Sequence, residues 1–523
     1  MVVRNFRRSE AGNFSMMFAM ILPVLLGGVG LAVDVASLTQ AHAQLQNATD
    51  AAVLAASRIN DKTLSRDDVF QDYLSANLLG AGEMTNVDGD IEIETGINYI
   101  STTGTVSADV TLHLAFMFGS SRRITVTSSA YESRNHLEIV MALDNTGSMG
   151  SARMAELRKA AKSLVDILET VHSPDSEPKR VVKAALVPFV TAVNIKGEGY
   201  KESWIDSKWH KKSESWRARG SDFSDYNGIY FTPRTNHLEL FDALGVEWKG
   251  CVEARPAPYN LTDDAPKNKN PNTLFVPYFA PDNPGSNATS PNRSDIWNNS
   301  YINDSFGKYD EAKVKQASRY YNLASGNKTI SESSSRSTGP NYACPTPIMP
   351  LTSDFTKLKS EIDKMIYWEG SGTNVSEGMA WAYRVLSPGE PYDQGVPFKS
   401  EYTSKYAVVF TDGENTVFGA GNEYFNKSDY GSYHFLDQGR VDTNRNNALT
   451  KVNDMTLTAC DALKDDDVEV FTVLLGADTQ ANRNLYTKCA TTPDHYYPTS
   501  DVNDLDAVFK KIASRIAKLY VTN

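Results

Sequence analysis

The chain has 523 residues, 41% of them apolar and 22% charged, and a net charge of −12. The length allows about three domains, and the composition is that of a globular protein with slightly few charges. The acidic balance, with no basic stripe and no interleaved aromatics, argues against nucleic acid as a partner.

The first element is apolar. Phe14 to Val33 runs without a charged residue, long enough to cross a bilayer as a helix. Pro23, Gly27, Gly28 and Gly30 fall inside it, and membrane helices tolerate both residue types. Arg4, Arg7 and Arg8 precede the run, whereas no Lys or Arg occurs between Ser9 and Ser57. The positive-inside bias therefore places the N-terminus in the cytoplasm and the bulk of the chain outside. A cleaved secretory signal is the rival reading, but the apolar core is long and no clear A-x-A site follows. Asp34 closes the span and is expected at the membrane interface, with an intramembrane contact as the alternative. Thr39 to Ser57 continues as a helix, with Leu45, Ala52, Val53 and Ala56 near helical spacing.

The membrane exit Gly30-Leu-Ala-Val-Asp34, followed by the alanine-rich run Leu45 to Ala56, resembles the start of TadE/TadG-type proteins of the tight-adherence (Flp) pilus machinery of bacteria. The resemblance implies a pilin-like helix running from the membrane into a stalk. Beyond it, Asp67 to Leu79 reads as a short helix. Alternating residues then suggest three strands, around Ile91–Ile97, Val106–Leu112 and Ile124–Ser128. These make a small α+β module with nothing chemical in it.

From Leu137 the pattern changes. The apolar run Leu137 to Leu143 ends in Asp144, and Asp144-Asn-Thr146-Gly-Ser148 opens a helix, Ala152 to Val171. Val181 to Val190 is a strand. Met349 to Asp354 leads into a helix ending near Trp368, and Gly372-Thr373-Asn374 starts another over Ser376 to Leu386. Strand Tyr406 to Phe410 ends in Thr411-Asp412-Gly413. Helix Leu449 to Leu463, strand Val468 to Leu475 and helix Leu505 to Leu519 follow. Strands alternating with helices imply an α/β fold with a mainly parallel sheet covered on both faces. Ligands of such sheets sit outside the carboxyl ends of the strands, where Asp144 and Asp412 are both expected.

Side-chain oxygens on alternate residues of a turn suit a hard cation, although Asp-x-Thr-x-Ser alone is also a helix cap. The full pattern D-x-T-x-S … T … D resembles the metal-ion-dependent adhesion site of von Willebrand factor A (VWA) domains. That likeness implies a Rossmann-like VWA fold. It also implies a site of Asp144, Thr146, Ser148, Thr373 and Asp412 holding Mg2+, or Ca2+ or Mn2+, with one position left for a partner's acidic side chain. Thr146 stands where many members have Ser and keeps the hydroxyl. Further segments, Leu186-Val-Pro-Phe189, Gly378-Met-Ala-Trp381, Leu386-Ser-Pro388 and Thr411-Asp-Gly-Glu-Asn-Thr416, are similar to TadG-like proteins.

The expected division is a basic tail and membrane helix over residues 1–37, a stalk and α+β module over 38–134, and the VWA domain over 135–523. A large insertion falls at about 196–340 and a smaller one at about 416–445. The large one holds Trp204, Trp209, Trp216, Trp248 and Trp297 among polar residues, with one helix expected at Glu311 to Tyr321. The plainer reading is a self-packing insertion whose tryptophans form its own small core. The sharper one is a surface that stacks on glycan or anchors a protein. Cys251, Cys344, Cys460 and Cys489 all follow the membrane span, which suggests disulfides. Of the three pairings, Cys251 with Cys344 and Cys460 with Cys489 is expected.

Catalysis is not expected. No H-E-x-x-H, P-loop or G-x-S-x-G is present, the histidines are scattered, and Glu414 beside Asp412 has no accompanying nucleophile. The reading favoured is a membrane-anchored assembly protein of a Tad/Flp-type pilus or secretion system, in the cytoplasmic membrane with its bulk outside. The alternative is a secreted or surface adhesin that binds glycan or matrix through the tryptophan-rich insertion.

Overall fold

The computed structural model describes residues 10–58, 65–79, 84–95, 99–113, 119–133, 136–175, 180–207, 223–283, 299–304, 310–333, 335–370, 372–417 and 426–521. The chain divides into two compact units, Met1–Arg134 and Asn135–Thr522.

The first unit starts with helix α1 (Glu10–Ser57), which contains Pro23. It is long and apolar enough to cross a membrane, and none of its most apolar window is buried in the protein. Met20, Val24, Leu26 and Val29 are all exposed. Lower down the character reverses. Ala41, Leu45, Ala48, Ala52 and Ala56 are buried, a stripe at helical spacing. The stripe packs with Phe70 and Leu74 of α2 (Arg66–Asn77). Ser65 caps α2 by accepting the Asp68 amide. Both helices lie on an antiparallel sheet in the order β1 (Met84–Thr95), β2 (Tyr99–Thr111), β3 (Ser121–Ser133). The packing is close: a Cβ at Gly104 would lie 2.6 Å from Val53 and 2.7 Å from Phe70. Asp34 is buried rather than lying free at an interface. Its Oδ1 accepts the His113 backbone amide at 2.6 Å, which gives a carboxylate at the end of the apolar run a donor within the protein.

The second unit is built on a mixed sheet of β4 (His136–Asp144), β5 (Val181–Phe189), β6 (Val193–Asn194), β7 (Cys251–Val252), β8 (Met349–Thr352), β10 (Thr403–Thr411), β12 (Val468–Leu475) and β13 (Tyr496–Thr499). Their order is β13-β12-β10-β4-β5-β6-β7, with β8 also paired to β5. Strands β13, β12, β10, β4 and β5 run parallel, and β6, β7 and β8 pair antiparallel. A separate small ladder joins β9 (Gly372–Thr373) to β11 (Thr416–Val417).

Alternation along the central strand sends Leu137, Ile139, Met141 and Leu143 to one face, and Val140 and Ala142 to the other. The first face is covered by α3 (Gly150–Val171), α6 (Phe355–Asp363) and α10 (Leu505–Val521), through Leu157, Leu164, Leu358, Phe509 and Ile512. The second is covered by α7 (Val375–Leu386), α8 (Arg445–Asp465) and α9 (Gln480–Cys489). It is also covered by the chain between β6 and β8.

That intervening chain departs from expectation. Its described aromatic residues, among them Trp204, Phe231, Phe279 and Tyr320, do not form a core of their own but share one continuous core with Val187, Met379 and Trp381. Trp204 and Trp248 are buried, so neither offers a stacking surface; Trp209, Trp216 and Trp297 lie outside the described residues. Among its described residues the insertion has two short α-helices, α4 (His237–Leu244) and α5 (Glu311–Val314). The single helix expected over Glu311 to Tyr321 is broken. Lys315 to Gln316 leave the α-helix, and Ala317–Tyr320 is a 3-10 turn that places Tyr320 in the core. The expected helix to Trp368 stops at Asp363. Disulfides join Cys251 to Cys344 and Cys460 to Cys489.

Candidate metal centre

The candidate site lies at the carboxyl ends of the adjacent strands β4 and β10. Asp144 is the last residue of β4 and is fully buried. Two donors fix its carboxylate: the Thr146 amide gives a hydrogen bond to Oδ1 at 2.8 Å and the Thr411 hydroxyl one to Oδ2 at 2.7 Å. Thr411 ends β10, whose Phe410 pairs with Leu143, so the strand register alone brings this hydroxyl onto Asp144.

The turn after Asp144 is held from both sides. The Asn145 amide donates to the Phe189 carbonyl at 2.8 Å, and the Asn145 carbonyl accepts the Trp368 amide at 2.8 Å. The Asn145 side chain donates to the Ile366 carbonyl at 3.1 Å. A Cβ at Gly147 would stand 3.1 Å from the Glu369 Cα and 3.3 Å from the Trp368 carbonyl, so this position leaves little room for a side chain. Gly150 takes φ +52° where the turn enters α3, a conformation that favours glycine.

From this turn the oxygens form a chain. The Thr146 and Ser148 hydroxyls are 3.0 Å apart. The Ser148 hydroxyl donates to Asp412 Oδ1 at 2.7 Å, and Arg153 Nη1 donates to Asp412 Oδ2 at 2.6 Å. Asp144, Thr146, Ser148 and Asp412 are therefore brought together, although 264 positions separate Ser148 from Asp412. Thr373 stands apart from this chain. Its amide donates to the Thr416 hydroxyl at 2.9 Å within the β9–β11 ladder, and it lines the same cleft as Thr146, Ser148, Glu369, Asp412 and Glu414. That cleft has a volume of about 500 Å³.

Burial first, and then the charge of Asp412, push the Asp144 acid up to about 7. Burial and the charge of Asp144 likewise push up the phenol of Tyr486, whose hydroxyl donates to the Gly413 carbonyl at 3.0 Å. Among the described residues no group of three or more His, Cys, Asp or Glu side chains is placed to hold a metal. The donors here are two carboxylates with hydroxyls. This all-oxygen set fits a hard divalent cation, and such an ion would offset the repulsion from Asp412 that adds to the effect of burial on the Asp144 acid.

Sequence reasoning missed Thr411 and Arg153. Thr411 carried a signal, since it directly precedes Asp412 at a strand end. Arg153 carried none, because a basic residue on an amphipathic helix reads as part of a solvated face.

A family model described as "Putative Flp pilus-assembly TadE/G-like" matches residues 12–58, which is α1 almost end to end. No curated protein matches the chain. Among solved structures, it is similar to the adhesive tip pilin GBS104 from Group B Streptococcus agalactiae, at 12% identity and TM-score 0.33, over 73% of this chain and 100% of that one. It is similar to the vWF domain of the type V pili tip protein Mfa5 from Porphyromonas gingivalis, at 10% identity and TM-score 0.29, over 73% and 95%. It is also similar to proximal thread matrix protein 1 from the mussel byssus, at 9% identity and TM-score 0.28, over 73% of this chain and 46% of that one. The chain thus spans less than half the length of the byssus protein. Overlaps of this size say nothing about what this chain binds.

Proposed function

We propose that the chain is a membrane-anchored binding and assembly protein of a Tad/Flp-type pilus or secretion apparatus. Its bulk lies outside the cytoplasmic membrane. A divalent cation, Mg2+ or else Ca2+ or Mn2+, sits at Asp144, Thr146, Ser148, Thr373 and Asp412 and grips an acidic side chain of a protein partner. The observation that carries this reading is the hydrogen-bonded chain Thr146–Ser148–Asp412 beside Asp144, assembled from segments far apart in sequence at one end of a sheet. The pilus setting is supported by the match over residues 12–58 and by the exposed apolar helix. The orientation follows from the arginines before that helix.

The residues divide the work. Thr411 and the Thr146 amide hold Asp144 in place before any ion arrives. Thr146, Ser148 and Thr373 line the cleft as hydroxyl-bearing residues, and Asp412 supplies the second charge at its wall. An ion bound there is a Lewis acid with residual positive charge, because only Asp144 and Asp412 among these five donors are carboxylates, and so favours an incoming carboxylate.

Pull-down from envelope extract with the full chain in detergent tests the proposal. EDTA, or Asp144→Ala, is expected to abolish partner capture while the melting transition stays cooperative. Unchanged recovery in EDTA would contradict it.

A further inference from the structure

Arg153 lies in the first turns of α3, where the helix end already carries partial positive charge and a cation is unfavourable. The side chain turns back over the preceding turn. Its Nη1 reaches Asp412 Oδ2 at 2.6 Å and the Ser148 carbonyl at 3.4 Å. The two partners differ in freedom: the Asp412 side chain is 1% exposed and that of Arg153 43%. The carboxylate is fixed, while the guanidinium has solvent to move into.

Asp412 also holds the Ser148 hydroxyl, and Ser148 holds that of Thr146. Arg153 thus grips the far end of the same oxygen chain that the cation reading assigns to the ion. A divalent ion among these donors would lie within a few ångströms of a guanidinium left where it is, in a site only partly reached by water, where like charges repel strongly.

We propose that Arg153 is the resident counter-cation of this site: it neutralises Asp412 in the ion-free protein and is displaced outward when a divalent ion enters. The exchange rests on the cation reading above. It makes ion affinity the difference between two competing partners for one carboxylate, so Arg153 lowers affinity while keeping the ion-free site folded.

The test uses the full chain in detergent micelles, with Mn2+ as the probe and the free-ion paramagnetic resonance signal as the readout. R153Q is expected to bind Mn2+ about tenfold more tightly than the wild type, which corresponds to about 1.4 kcal/mol. R153K, which keeps the charge, stays near the wild type. R153Q melts below the wild type in EDTA, and the gap closes in excess Mn2+; a purely structural ion pair would leave the gap unchanged. A second measurement needs no variant. The phenylglyoxal modification rate of Arg153 in the wild type, read by peptide mass, should rise several-fold when Mn2+ is added. R153Q with affinity equal to or below that of a wild type that does bind would overturn the exchange, as would a modification rate that stays flat or falls. A wild type that binds no Mn2+ is a different result, because it removes the cation reading itself.

Discussion

On one face of the large sheet three helices lay mainly aliphatic stripes, with Phe355 and Phe509 among them, over Leu137, Ile139 and Met141. On the other, long helices share the work with irregular chain, and the core turns aromatic, with Trp204, Phe231, Phe279, Tyr320 and Trp381 in edge-to-face or tilted contacts. The aliphatic face is made by periodicity, and each helix there buries a stripe it would present in isolation. The aromatic face is made by closure. Its segments bury their rings where β7 joins the sheet beside β6 and where the Cys251–Cys344 bridge ties β7, partway along the inserted chain, to the segment just past its end. The candidate site touches both. Its turn leads into α3 of the aliphatic face, and it is clamped from the other side by the loop at Glu369, which is held by the Ser335 carbonyl and by Arg336.

The comparison can be broken most forcefully at the bridge. The Cys251–Cys344 bridge closes a separation of 93 residues, so replacing both cysteines by serine should cost about 4 kcal/mol. The loss should fall on the aromatic face, read as amide exchange that rises in Leu274 to Phe279 before it rises in β4. Uniform exchange across both faces would show that the bridge stabilises the whole unit instead.

Core truncations come next. Trp204→Ala should cost about 4 kcal/mol and Leu164→Ala about 3 kcal/mol, both within a single denaturant transition, because the two faces share strands. A separate early transition in Trp204→Ala would make the insertion a domain of its own.

Gly147→Ala should cost only about 1 kcal/mol yet weaken Mn2+ binding at least tenfold, because the added methyl presses on Glu369 and Trp368 next to the hydroxyls. Retained affinity would mean that the turn has slack.

The smallest effect is that of pH. The folded Asp144 acid stands near 7, above its ordinary value of 3.8. The folded ion-free protein therefore holds a proton there that the unfolded chain has lost, and this group's contribution to stability falls as pH rises from about 4 to about 7. Ion binding needs the carboxylate, so Mn2+ affinity should rise over the same window and level off above about 7.5. An affinity independent of pH would place Asp144 outside the ion's sphere.

The elements legible in the sequence were those with one strong local signal, either a helical period or an unbroken apolar run. Strand β4 and most of β10 could be read because a strand buried on both faces is a continuous apolar run; all of Thr403 to Thr411 is buried. Oxygen side chains at and just after the strand ends singled out Asp144, Ser148 and Asp412 in the sequence, and the fold brings these three close together. Thr411 was not assigned a role, because which oxygen it meets depends on β10 lying beside β4, and pairing is not written in either strand alone. The aromatic face was illegible for the same reason. Two residues, Cys251 and Val252, are too few to show alternation, and they become a strand only against β6.

The central claim is that oxygens from segments hundreds of residues apart share one ion. It is tested most directly by an anomalous difference map from crystals of the full chain grown with Mn2+. The account predicts one peak in the cleft, about 2 Å from the Ser148 hydroxyl, with Asp144 and Asp412 on its flanks and the Arg153 guanidinium moved off Asp412. A map with no peak there, or with the ion held elsewhere while Arg153 still pairs with Asp412, would contradict it.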